Sequence, residues 1–142
     1  MKIHTLFSAA SILVLGASAA FASSAPGTWA MKNGKVTVKV RDCGSGLCGT
    51  IVALKEPLSK IDGKPKVDRE NPDPSLRKRP VIGLSILVGM KAAGDNTWKG
   101  AIYNPDDGKT YTGTVKLDGG TMKVQGCVLK VLCKTNTFVR VN

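Results

Sequence analysis

"NGKVTVKVRDCGSGLCGTIVALK", residues 33–55, decides the fold. Asn33 and Gly34 form a tight-turn signal, because both tolerate the positive φ that a two-residue hairpin loop demands. The residues after them alternate with a period of two. Val36, Val38 and Val40 fall on one face, while Lys35, Thr37, Lys39 and Arg41 fall on the other. This is the pattern of a half-buried strand. "LCGTIVALK" reads as its antiparallel partner, and the Gly-Ser-Gly stretch between them as the turn. Cys43 and Cys48 flank that turn, so the stretch is expected to be a cross-linked hairpin.

The same punctuation runs through the rest of the chain. A first strand is expected around Gly27–Met31, and "LSILVGM", "TWKGAIY", "TYTGTVKL", "TMKVQGC" and "TNTFVRV" follow after residue 83. Ala93-Gly94-Asp95, Asp107-Gly108 and Asp118-Gly119-Gly120 separate several of them, and no amphipathic helix of useful length intervenes. Eight short strands with tight turns predict an all-β domain, an antiparallel up-and-down barrel or a sandwich. An eight-stranded barrel has room inside for side chains or for one small ligand. Past residue 22 the aromatics are Trp29, Trp98, Tyr103, Tyr111 and Phe138 only, so an aliphatic core is expected. The exception to the hairpin rhythm is residues 56–82, Pro-rich and highly charged. Asp73-Pro74 there reads as an N-cap and first helical position, opening a short helix that Pro80 stops. A connection of this length is placed across one barrel mouth as a lid.

The N-terminus sets the compartment. Lys2 and His4 precede an apolar stretch from Leu6 to Phe21, which ends in the small-residue site Ala20-Phe21-Ala22. That is the form of a secretory signal, residues 1–22, too short for the ~20 apolar residues of a membrane span. Residues 23–142 then form a single domain without a transmembrane segment. Cleavage removes His4, the chain's one histidine, and with it any Ser-His-Asp or Cys-His nucleophile system. In an oxidising compartment four cysteines form disulfides, in preference to a zinc ribbon or a redox pair. Three connectivities exist. Geometry and folding order favour the local pairs Cys43–Cys48 and Cys127–Cys133, since each flanks a short loop between adjacent strands.

Net charge is +11 for the whole chain, and residues 23–142 carry 20 Lys and Arg against 10 Asp and Glu. The surplus lies in residues 23–55 and 109–142, while 56–108 is nearly balanced. In a closed barrel the first and last strands are neighbours, so the two basic segments merge into one wall that favours an anionic partner. Nucleic acid is not expected, since no helix or aromatic-and-basic sheet motif supports it.

Candidate chemistry is sparse. Ser85 in "GLSIL" lacks the second glycine of a nucleophile elbow and reads as a strand serine. Asp68, Glu70 and Asp73 lack the spacing of a calcium loop and read as a solvated acidic loop. Asp106 and Asp107 cap the turn at Gly108. No catalytic residue, metal ligand or cofactor is expected. Arg77, Lys78 and Arg79 are either a solvated turn paired with those acids or an anion-recognising rim, since Arg presents a planar fork to carboxylate or phosphate. Arg77 and Arg79, with Trp29, Trp98, Tyr103 and Tyr111, make up the candidate ligand-binding set.

"GTW" (27–29), "CGSGLCGTIVALKEPL" (43–58), "DRENPDPSLRKRPVIGLSIL" (68–87), "WKGAIYNPDDGKTYTG" (98–113) and "GCVLKVLC" (126–133) occur in that order. In these blocks the chain resembles a family of exported bacterial proteins, domain-of-unknown-function family 2147. The resemblance spans nearly all of residues 23–142 and implies a lipocalin-like, calycin-type barrel in the periplasm. It brings no catalytic residues with it. The expected function is a periplasmic protein that binds a small apolar or anionic amphiphilic envelope ligand. The alternatives are a histidine-free hydrolase or transferase on an envelope substrate and a structural interaction module of the envelope.

Overall fold

The computed structural model describes residues 24–142; the expected secretory segment lies outside the described residues. Eight strands follow one another: β1 (Gly27–Met31), β2 (Val36–Cys43), β3 (Gly46–Leu54), β4 (Ser85–Ala92), β5 (Thr97–Asn104), β6 (Lys109–Asp118), β7 (Thr121–Val128) and β8 (Leu132–Arg140). Each pairs antiparallel with the next, and β1 pairs with β8, which closes the barrel and leaves none of the eight described strands at an open sheet edge. The expected barrel is what forms.

Alternation explains which side chains go in. On β2, Val38 and Val40 are buried and Lys39 between them is exposed. Val115 and Leu117 of β6 lie opposite Val124 and Met122 of β7, and Met122 lies opposite Phe138 of β8. Gly34, at φ +74°, makes the β1–β2 turn expected from Asn33-Gly34.

An up-and-down barrel sorts its turns between two ends. One end carries the β2–β3, β4–β5 and β6–β7 turns, the first described residues and the C-terminus, and it is plugged. Trp29 is fully buried there among Val40, Leu47, Met90, Met122 and Phe138. Its indole Nε1–H donates to the carbonyl of Ala25 at 2.8 Å. The Arg140 guanidinium lies 4.3 Å from the Trp29 ring centre and donates to the carbonyls of Pro26 and Ser24. One residue of β8 therefore closes the barrel over an aromatic of β1 and secures the incoming chain as well.

The other end carries the β1–β2, β5–β6 and β7–β8 turns and the long β3–β4 connection. The connection holds one short 3-10 turn, Pro74–Leu76, capped by Asp73, whose carboxylate accepts from the Ser75 N–H at 2.9 Å. Bridges from Leu58 to Pro65 and from Val67 to Pro80 fold the rest into narrow loops. Both disulfides form with the expected local pairing. Cys43–Cys48 pins the β2–β3 turn at the plugged end, and Cys127–Cys133 pins the β7–β8 turn at the open end.

Candidate ligand cavity

The barrel core fills only one end. Toward the open end lies a cavity of about 1130 Å³, somewhat larger than the ~300–1,000 Å³ usual for small-molecule sites. The strands line its depth with aliphatic side chains: Val36 and Val38 of β2, Ile51 of β3, Ile86 and Leu87 of β4, Ile102 of β5 and Val124 of β7. Met122 and Phe138 form part of its lining beside the plug. Near the mouth the lining turns polar. Lys35, Lys55, Lys66 and Lys134 are there, with Asn33, Asn136, Glu56, Asp106 and Asp107.

The connection contributes Lys66, Val67 and Val81 to the lining at this mouth. A buried carboxylate fastens it. Asp68 has no exposed surface and accepts from the Tyr103 hydroxyl at 2.6 Å, Asn71 Nδ2 at 2.8 Å and Arg79 Nε at 2.9 Å. A second Arg79 nitrogen lies 2.8 Å from the same carboxylate. Burial by itself would raise the Asp68 pKa. The hydrogen bonds from Tyr103, Asn71 and Arg79, with the Arg79 charge, outweigh it and hold the carboxyl below its ordinary value. Burial and the Asp68 carboxylate together push the Tyr103 phenol up. Arg77 Nε donates to the Asn71 carbonyl at 2.7 Å. The β5–β6 turn completes the fastening. Gly108, at φ +69°, brings its backbone so near Glu70 that a Cβ would lie 1.8 Å from the Glu70 carbonyl oxygen. The two charged blocks "NPDPSLRKRP" and "NPDDGKTY" thus pack on each other.

Of the expected ligand-binding set, the structure brings two residues to the cavity and leaves four elsewhere. Tyr111 faces inward opposite Ile102, its hydroxyl on Asp107. Tyr103 borders the cavity but spends its hydroxyl on Asp68. Trp29 and Trp98 pack in or against the plugged core. Arg77 and Arg79 do not line the cavity; they bind within the connection, Arg79 also 5.9 Å from the Tyr103 ring centre. The connection reaches the mouth through Lys55, Glu56, Lys66, Val67 and Val81. The cations that the sequence reading missed are Lys35, Lys55, Lys66 and Lys134. Lys134 and Asn136 could have been found by counting back in twos from inward-facing Phe138.

Chemically, the arrangement can enclose an apolar chain and meet a negative head at the mouth. No cluster of His, Cys, Asp and Glu able to hold a metal exists among the described residues, and no described helix is long and apolar enough to cross a membrane.

A closed eight-stranded barrel, plugged at one end and hollow at the other, defines the class: this is a lipocalin-like β-barrel. It is similar to the solved structure of protein HP1028 from the human pathogen Helicobacter pylori, described as belonging to the lipocalin family. The TM-score is 0.71 at 23% identity, with 85% of each chain covered. The chain belongs to the family described as an uncharacterized protein conserved in bacteria, domain of unknown function 2147, whose model matches residues 27–140. No curated protein matches it.

Proposed function

We propose that the protein is exported by its N-terminal segment and binds an anionic amphiphile of the cell envelope, such as a fatty acid or lipid fragment. The apolar chain occupies the barrel cavity and the head-group meets the lysines at the mouth. One observation carries the reading: a cavity aliphatic in its depth and polar at its mouth, where four lysines stand with three acids. Both disulfides and membership of a bacterial family support export to the periplasm.

Burial of each methylene contributes ~0.8 kcal/mol, so two more should tighten binding roughly tenfold until the cavity is full. A chain-length series of fatty acids, titrated by displacement of a fluorescent analogue, tests this. Matched neutral alcohols should bind more weakly than the acids. Replacing Lys35, Lys66 and Lys134 together by Gln should remove that difference while sparing the chain-length slope. Affinity independent of chain length would rule out the cavity as the site. The tryptophans at the plugged end are poorly placed to report it.

A further inference from the structure

The β7–β8 turn is built against its own sequence. Leu129 and Lys130 adopt φ of +53° and +61°, a left-handed conformation that glycine or asparagine usually supplies. The Cys127–Cys133 disulfide crosses the hairpin just below, where the two residues are register partners. The turn therefore presents Leu129 and Val131 in a fixed arrangement, 83% and 78% exposed, with Leu132 at 70%. Val131 and Leu132 also line the cavity, so this apolar tip stands at its mouth. On the connection, which forms another part of the mouth, Leu58 and Ile61 are exposed as well, with Lys60 and Lys64 beside Ile61.

Charge decides what such a surface meets. Lys130 and Lys134 on the tip make no ion pair among the described residues, and neither do Lys35, Lys55 and Lys66. Of the nearby acids, Glu56 and Asp62 are engaged by Lys60 and Arg69, and Asp107 accepts from the Tyr111 hydroxyl. Asp106 is exposed without an ion pair among the described residues, and the lysines outnumber the acids at the mouth. A second copy docking mouth to mouth would oppose lysine to lysine. An anionic bilayer offers phosphates to the lysines and an acyl boundary to the aliphatic side chains. We propose that the protein docks on anionic membranes mouth first, inserting the Leu129–Val131 tip of the β7–β8 turn. The docking does not require that the cavity bind anything, although it would place the cavity mouth against the bilayer.

Flotation of the purified, oxidised protein with vesicles tests the docking. The probes are vesicles of phosphatidylcholine alone and of phosphatidylcholine mixed with phosphatidylglycerol. Partitioning should favour the mixed vesicles and weaken with salt. Leu129→Ser with Val131→Ser should lower it at least tenfold or so, from the methylenes no longer buried. Leu129→Ser alone should give part of that loss, and Lys130→Gln with Lys134→Gln should reduce the preference for phosphatidylglycerol. Near-UV circular dichroism checks that each variant keeps its fold, as their exposure leads us to expect. Equal partitioning of the double Ser variant and the native protein overturns the proposal. So does no flotation at all, or a dimer in solution that the same Ser substitutions dissolve. Vesicle docking without fatty-acid binding would leave this proposal standing and remove the ligand reading; the reverse result would do the opposite.

Discussion

Replacing Asp68 by alanine should loosen the connection from the barrel. Asp68 is fully buried and receives hydrogen bonds from three side chains, one of them charged. Breaking a buried ion pair from one side costs ~3–5 kcal/mol. The Arg79 side chain is 39% exposed, so its freed charge regains water, and Asn71 retains the Tyr103 hydroxyl at 3.1 Å. Both facts move the expected cost to the lower end, about 3 kcal/mol. With a urea m-value of ~1.5 kcal/mol/M, the unfolding midpoint should fall by ~2 M. Tryptophan fluorescence can follow the transition because both indoles report on the plugged core. Asp68→Asn keeps the shape and one acceptor and should cost less than the alanine variant. A midpoint within ~0.3 M of the native value for both variants would refute the hub, given that range of m-values.

The same carboxylates set an acid limit. The folded-state pKa values of Asp68 and Asp107 are lowered, so their stabilisation is present above the ordinary value of 3.8 and is lost as pH falls through the folded values. Asp68→Asn should flatten the pH dependence of the urea midpoint in that acidic window. Gly108→Ala requires a strained positive φ and a Cβ inside contact distance of the Glu70 carbonyl, so it should lower stability by ~2 kcal/mol or more in thermal melts. Cys127→Ser with Cys133→Ser should cost about 2 kcal/mol by the chain-entropy estimate and increase amide exchange at the β7–β8 turn while the plugged end stays protected. Arg140→Ala removes the guanidinium from the Trp29 ring and from two carbonyls; it should cost ~2–3 kcal/mol and change the near-UV dichroism of that indole.

The strands were legible because two local signals agree. Period-two runs such as Val36-Val38-Val40 end at turn residues such as Asn33-Gly34 and Asp107-Gly108, and each signal alone depends on only a few neighbouring residues. The disulfides followed from the short spacing of each cysteine pair between adjacent strands, although only the β2–β3 turn carries the glycines that announce it. The site was less legible, because what a charged residue does depends on what the fold brings near it. Arg77-Lys78-Arg79 reads equally as a turn paired with the acids before it or as an anion-recognising rim, and only the fold shows Asp68, eleven residues before Arg79, buried and holding that arginine. Trp29 and Trp98 read as ligand platforms or as core until strand order assigns them to the plugged end. The cavity depends on which inward positions remain unfilled. At the mouth β8 offers Lys134 and Asn136 where the plugged end has Phe138. Composition pointed to an aliphatic interior but could not show that it leaves a cavity toward one end.

The central claim is that an anionic amphiphile lies inside this barrel with its head at the lysines. A crystal structure of the protein with a fatty acid brominated at its chain terminus tests it most directly. The anomalous signal of bromine should fall in the depth of the cavity, beside Met122 and Phe138, with the carboxylate at one or more of Lys35, Lys55, Lys66 and Lys134. Bromine found only on the outer wall of the barrel, or an empty cavity at saturating fatty acid, would contradict the account.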